Sequence, residues 1–444
     1  MRQTKYLLLF FFLIIHTVYS QISSFNEPTT VQFLNNQQSP LLLGAGLIGA
    51  AIPQDNASGF YYNPAQLGYF ANENNFSVFF MPQKTELIPD MSSLTFNSFS
   101  IAAGYNFNKN KNGLPLSIGI GYIHNKMDYG SFKRTTLPDF EIVDSYDLFE
   151  SFDCFSVGAS FDFYLLFNLG FSVKSFSSNV AITTMDIPIE SSGTAFDFGV
   201  MITAPVSKLL FNNYKFDLGN NTFIRPKTDF TLGYSLTNVG KEITRDFDLQ
   251  DNVVYMYEPI ETQPIPRTAK LGYTFNFGFE LATKSITLDI LQYSFTVEAE
   301  NSLINPYYIY GIEEVEDMPF NPFYRGKYEY KNIMGDINVG KNLIRLKGDK
   351  NVIVHKGHIF KFFETLTIVT GRLNGKNYNS SKSSGIGFST KGLFKLLSAG
   401  TNNPTINYIA NHFVLEYYNT YTFIDTDYER NYKGLVISYK GFEF

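Results

Sequence analysis

The sequence predicts an all-β protein: a transmembrane antiparallel β-barrel of about fourteen strands with an N-terminal plug or hatch. Three observations carry that reading. Residues 1–20 have the layout of an export signal, and period-2 alternation recurs from residue 75 onward. The chain then closes on Tyr439-Lys440-Gly441-Phe442-Glu443-Phe444, a strand-like run with an aromatic carboxyl terminus.

The export signal comes first. Arg2 and Lys5 give a positive start, and Tyr6 to Ile15 run apolar without a break. Val18-Tyr19-Ser20 places a small residue ahead of Gln21, the expected first mature residue. A membrane-spanning helix takes about 20 apolar residues. Neither this stretch nor Leu41 to Ile52, which glycines interrupt and Pro40 and Pro53 bracket, is that long. Any membrane crossing therefore falls to strands.

No Ser/Gly linker, charge block or composition break divides the mature chain. The expected division is 1–20 signal peptide, 21–74 plug or hatch, and 75–444 barrel. Phe 45 and Tyr 30 stand against Trp 0, with 17% charged residues. Barrels use aromatics as girdles at both membrane interfaces, a role left here to Tyr. A net charge of -6 without a basic run argues against a nucleic-acid partner. The single Cys154 excludes an internal disulfide and reads as a small strand residue.

The alternation is explicit. Phe99, Ile101, Ala103, Tyr105 and Phe107 share one face, with Ser100, Ala102, Gly104 and Asn106 on the other. After the turn 108–113, Leu114, Leu116, Ile118, Ile120 and Tyr122 repeat it against Pro115, Ser117, Gly119 and Gly121. The second faces are mostly Gly, Ser, Thr and Asn, with an occasional Asp153, Asp197 or Lys174. That fits apolar residues turned to lipid and a small, polar lumen.

Strands are predicted near 75–82, 94–107, 114–127, 152–165, 167–180, 193–205, 227–238, 267–278, 285–298, 326–339, 357–372, 382–392, 408–422 and 433–444. The long connections 128–151, 239–266 and 299–325 follow odd-numbered strands and face outward, while 108–113, residue 166 and 279–284 are short turns at the other end. Segments 206–226, 340–356 and 393–407 are too long for such turns. Either they form hairpins below the barrel or the count is displaced by a pair. Residues 21–74, Gly/Ala-rich and Pro-punctuated, fold most economically into the lumen.

Within that segment, Leu43-Gly44-Ala45-Gly46-Leu47-Ile48-Gly49-Ala50-Ala51 precedes Asp55-Asn56-Ala57-Ser58-Gly59-Phe60-Tyr61-Tyr62-Asn63-Pro64-Ala65-Gln66-Leu67. This opening resembles the FadL-like outer-membrane proteins, especially their PorV/PorQ branch. Three later stretches, Thr194 to Val200, Leu232 to Gly240 and Pro264 to Tyr273, are similar to further motifs of that family in the same order. The resemblance implies a fourteen-stranded barrel with an N-terminal hatch. It also implies one of two functions, passage of hydrophobic small molecules or the PorV-type service of type IX secretion.

Other motifs read more plainly. Gly44-x-Gly46-x-x-Gly49 has dinucleotide-binding spacing, but no βαβ texture follows. Close backbone packing in a narrow lumen is the better use of these glycines. His355 and His358, three apart on a strand, point to opposite faces and cannot share a metal. His124, His355, His358 and His412 are assigned to the surface or rim. No Ser/His/Asp signature appears, so no enzyme, cofactor or metal is expected. Glu313-Glu314-Val315-Glu316-Asp317 reads as a solvated outer loop, or as a dock for a basic partner or divalent ion.

Asn63, Pro64 and Ala65 form the candidate hatch motif: Pro64 keeps the residue before it extended, and Asn63 can bond local backbone. A structural turn and a moving hatch both fit it. Phe442 and Phe444 form the candidate signal for the barrel-assembly machinery. Ser438 and Lys440 break the expected rhythm there, and a bulge near Gly441 would reconcile the registers. Tyr255, Tyr257, Tyr307, Tyr308 and Tyr310 in the outer loops suit protein contact, though rim aromatics would look the same.

The expected location is the bacterial outer membrane. The expected partners are its lipid, the barrel-assembly machinery and secreted proteins or a translocon. The leading expectation is a non-enzymatic PorV-like factor supporting type IX secretion and cell-surface delivery. The alternative is a FadL-like diffusion channel for hydrophobic small molecules, with a purely structural barrel as a third possibility.

Overall fold

The computed structural model describes residues 30–442 except 37, 83, 87–93, 108–113, 136–141, 183–187, 212–213, 246–260, 285, 309–325, 376–380, 402 and 425–428. The signal segment, Glu313 to Asp317, Tyr255, Tyr257, Tyr310 and Phe444 lie outside the described residues.

Fourteen antiparallel strands close into one ring. They are β1 (Asn75–Phe80), β2 (Thr95–Asn106), β3 (Leu116–Thr135), β4 (Ile142–Phe163), β5 (Leu165–Ile182), β6 (Pro188–Ala204) and β7 (Phe223–Gly240), followed by β8 (Thr268–Ala282), β9 (Thr287–Ser302), β10 (Val352–Phe362), β11 (Leu366–Asn374), β12 (Lys382–Ser389), β13 (Phe413–Ile424) and β14 (Arg430–Lys440). Closure comes from β1, which pairs with β2 on one side and with β14 on the other, Asn75 opposite Lys440. A closed ring leaves no strand edge to be satisfied by another chain. The end where β1 starts and β14 stops is called the termini side below.

A 3-10 turn (Gln32–Asn35) and two α-helices, α1 (Pro40–Gly44) and α2 (Gln66–Ala71), precede the wall, both α-helices buried inside the ring. Ser39 caps α1 through the Leu42 amide and Pro40 fits its first turn, which is how so short a helix persists. Three more helices sit in termini-side connections: α3 (Val206–Phe211), α4 (Lys391–Ala399) and α5 (Pro404–His412).

The strand total agrees with the sequence reading, but two positions differ. The segment predicted as a strand at 326–339 is not in the wall. Gly326–Tyr330 pairs with Ile304–Tyr308 as a separate hairpin, and Val339–Ile344 forms a π-helical turn. The single strand predicted at 357–372 is two, β10 and β11, folded about Phe363 and Glu364, both at φ 51°. Left-handed backbone at such residues carries none of the Gly, Asn or Asp that normally announces a turn. These two differences also resolve the long connections: 340–356 joins the outer end, while 206–226 and 393–407 hold α3, α4 and α5.

Apolar residues such as Ile120, Phe155, Leu169 and Phe198 lie exposed on the outer face, while Ser160, Asn168, Ser172 and Thr274 are buried inside. The wall is uneven. Strands β3 to β7 contain 20, 22, 18, 17 and 18 residues, and β10 to β12 only 11, 9 and 8. At roughly 3.3 Å per residue the tall strands outreach a hydrocarbon core of about 30 Å even when tilted. On the outside of β9 and β10, Ile337, Leu343 and Leu346 cover Val297, Ala299, Val352 and Val354, so the chain screens that stretch of its own wall.

Candidate functional site in the lumen

The small-residue face noted in the sequence is the seat of the inner segment. Gly104, Gly119, Gly158, Gly170 and Gly199 are register partners across β2 to β6, forming a belt without side chains. A Cβ on Gly170 would lie 2.1 Å from the Pro64 carbonyl carbon, one on Gly199 1.9 Å from Asn63 Oδ1, and one on Gly119 2.3 Å from the Leu67 oxygen. Backbone thus meets backbone, an approach only glycine permits.

Asn63 is completely buried at this belt. Its Nδ2 donates to the carbonyls of Ala50 at 2.6 Å, Val200 at 3.2 Å and Tyr234 at 3.3 Å. Its Oδ1 accepts from the Ala65 amide at 3.0 Å. One side chain therefore ties two parts of the inner segment to two adjacent strands. Pro64 and Ala65 sit directly over Gly170.

The opposite arc holds the segment through side chains. The buried Glu298 carboxylate accepts the amides of Gly49 and Ala51, each at 2.9 Å. His355 Nδ1 lies 2.9 Å from the Gly46 oxygen, and its Nε2 lies 3.0 Å from Glu300, which also pairs with Lys270 at 2.7 Å. His355 is thus an inner clamp and not a rim residue. Inward parity on β10 puts it there, while His358, three residues on, stacks outside against Tyr293. Gly46 at φ 92° is wedged against Lys356 and Gly371 backbone, the close packing expected of the glycine run. Ser383 donates to the Gly44 carbonyl at 3.0 Å.

Lys440 points into the lumen and pairs with Asp55, which explains its break in the strand rhythm. Asp55 is held well below the ordinary carboxylate range, chiefly by the Lys440 ammonium. Beyond it, Gly441 turns left-handed at φ 69°, and its amide donates to the Asn74 carbonyl at 2.9 Å. Phe442 then stacks on Tyr439 at 6.3 Å, and Asn74 Nδ2 donates to the Phe442 carbonyl at 2.7 Å.

The three later sequence motifs meet in one knot. Asn238, left-handed at φ 57°, donates its amide to Asp197 at 2.8 Å and its Nδ2 to the Pro266 carbonyl at 3.0 Å. Lys174 pairs with Asp197 at 2.8 Å, donates to Asn238 Oδ1 at 2.8 Å, and lies 4.3 Å over the Tyr61 ring. The β6–β7 ladder slips here, with Thr237 and Asn238 both opposite Asp197 between the Phe196–Val239 and Phe198–Leu236 pairs, and this bulge brings Asn238 onto the Asp197 carboxylate. Sequence reading singled out neither Lys174 nor Glu298 as a site residue. Their only signal was charge at an inward parity position.

The lumen divides in two. In the outer half, Phe96, Ile123, Phe152, Phe176 and Tyr432 give the wall an apolar inner lining, filled by Phe33, Leu34 and Tyr61. Tyr61 stacks on Phe152 at 5.3 Å and 10°, with Phe33 5.8 Å from the same ring. On the termini side lies a polar cavity of about 540 Å³, whose lining includes Asp55, Asp229, Lys361, Lys391, Glu416 and Lys440. Among the described residues no three His, Cys, Asp or Glu side chains gather as a metal site.

No family model matches this sequence, and no curated protein matches it. Solved structures do. The toluene transporter TbuX of Ralstonia pickettii is similar at 12% identity and a TM-score of 0.39, over 92% of this chain and 99% of that one. The toluene transporter TodX of Pseudomonas putida gives 9% and 0.38, over 91% and 98%. A FadL homologue of Pseudomonas aeruginosa gives 10% and 0.34, over 91% and 98%. One of the three is thus a FadL homologue, whereas likeness to the PorV/PorQ branch rests on the sequence motifs alone.

Proposed function

We propose that this chain is a non-enzymatic barrel of the bacterial outer membrane, a FadL-like conduit for a hydrophobic compound, with residues 21–74 acting as its hatch. One observation carries this reading. The inner lining of the outer half is apolar and aromatic, and the side chains that fill it belong to the inner segment. Withdrawal of Phe33, Leu34 and Tyr61 would leave a greasy cup open toward the outside, the kind of site that takes an apolar ligand. Asn63-Pro64-Ala65 is the pivot in this scheme, seated where backbone contact is closest. The polar cavity then faces the periplasm, and Phe442 with Phe444 addresses the chain to the barrel-assembly machinery.

A second reading, a PorV-like factor receiving secreted proteins or a translocon, draws support from the tall β3 to β7 arc, which offers an outward-projecting surface. The test compares cells lacking and overproducing the chain for entry of N-phenyl-1-naphthylamine, an uncharged apolar probe, alongside a mild-detergent pull-down with mass spectrometry. Faster entry with the chain present, and isolation free of exported proteins, supports the conduit. Unchanged entry with exported proteins or a translocon recovered overturns it in favour of the second reading.

A further inference from the structure

The two termini-side connections that are too long for simple turns carry the feature of most interest. In α4 the amphipathic faces are reversed relative to a helix packed on a protein core. Lys391 and Lys395 turn toward the barrel, where both pair with Glu364, at 2.8 and 2.6 Å. Lys391 also lines the polar cavity, so this face looks toward the barrel axis. Leu393, Leu396 and Leu397 recur at the spacing of one helical stripe on the opposite face, and they are 42%, 47% and 58% exposed.

Burial pushes the Glu364 carboxyl up, but Lys391 and Lys395 together hold it below the usual range, so the polar face stays ionised and fixed to the barrel. Gly392 keeps the helix flush, since a Cβ there would fall 1.7 Å from the Phe363 carbonyl. The stripe therefore points away from the axis, toward the side where lipid meets the outer wall. The exposed apolar residues of the outer wall reach the same end, with Phe363, Phe388 and Phe413 exposed at or beside the ends of the strands that flank α4. Six strands around the fourteen-strand ring, α3 exposes Leu209 and Leu210 at the same end.

We infer that α4 is an interfacial anchor whose leucine stripe is seated at the headgroup–acyl boundary of the inner leaflet, with lipid as its occupant. The chemistry fits: an apolar stripe of moderate length, at one end of the lipid-facing wall, on a helix whose charges are spent on the protein. This inference rests on the membrane location proposed above.

The experiment places single nitroxide labels through Leu393→Cys, Leu397→Cys, Ile120→Cys on the outer belt and Asn403→Cys ahead of α5, each in a Cys154→Ala background. The full chain is held in phosphatidylethanolamine–phosphatidylglycerol vesicles, and relaxation by oxygen is compared with that by a water-soluble nickel chelate. The inference expects oxygen to dominate severalfold at 393 and 397, as at 120, with the order reversed at 403. Nickel dominating at 393 and 397 while 120 remains lipid-like overturns the anchor alone. Nickel dominating at 120 as well overturns the membrane location and the anchor together.

Discussion

The two arcs of the wall hold the same inner segment with a different balance of packing and polar contact. From β2 to β6 the contact is steric, a glycine belt pressed against the backbone of Asn63 to Ala71. From β9 to β14 packing at Gly357 and Gly371 is joined by polar contacts: Glu298 takes two amides of the segment, and His355, Ser383 and Lys440 each reach one group. A steric seat is indifferent to pH and salt but intolerant of a single methyl group. A polar clamp is the reverse, because each group can be removed without disturbing the wall. The comparison teaches where a hatch would hinge and where it would release: it would pivot on the belt and let go at the clamps.

The largest effect should come from breaking the steric arc. Gly199→Val puts a side chain onto Asn63 Oδ1, already 1.9 Å from a bare Cβ, and overpacking of this kind costs about 3 kcal/mol or more. Comparison of boiled and unboiled samples on a gel should show loss of the folded, heat-modifiable form. Gly400→Ala, whose nearest neighbour lies 3.7 Å away, should leave that form intact.

Next comes the strongest clamp. Glu298→Ala leaves the buried amides of Gly49 and Ala51 without their acceptor, at about 1–3 kcal/mol for each. The barrel should still fold, since the wall is untouched. Single-channel recording in planar bilayers should show frequent openings where the parent chain is quiet. Silence from this variant would mean that the glycine contacts and the remaining clamps keep the lumen shut without Glu298.

The smallest effect concerns Asp55, which is partly exposed, so its pair with Lys440 is worth about 1 kcal/mol or less. Its folded-state pKa is depressed, so its contribution is complete above the unfolded carboxyl value of about 3.9. That contribution fades only as pH falls through the lower folded-state value. The melting temperatures of the parent and of Asp55→Asn should therefore differ by a constant amount from pH 7 to pH 5. They should converge only in strong acid, and convergence already at pH 6 would assign the latch to another group.

Much of this was legible in the sequence, for reasons that differ by region. Alternation gave the wall, because a two-residue period leaves a mark wherever one face meets lipid and the other a packed lumen. The glycines at 104, 119, 158, 170 and 199 were visible as small residues, but their alignment into a belt depends on register, which no single strand reveals. Asn63-Pro64-Ala65 stood out in the sequence as a motif, but two of the three carbonyls that Asn63 reaches lie on strands more than a hundred residues away. The turn at Phe363-Glu364 was invisible because neither residue signals one. Glu298 was one acidic residue among 41 Asp and Glu, and only its depth in the lumen sets it apart.

The seam between β1 and β14 has a temporal meaning as well. Asn74 meets Phe442 across 368 positions of chain, and Asp55 meets Lys440 across 385. Contacts so distant in sequence form late, since the intervening chain must first be brought to order. Strand β14 thus both shuts the ring and secures what lies within it. A half-built molecule has an open edge and an unfastened interior at the same moment. Closing the wall and fastening the inner segment therefore fall together in folding.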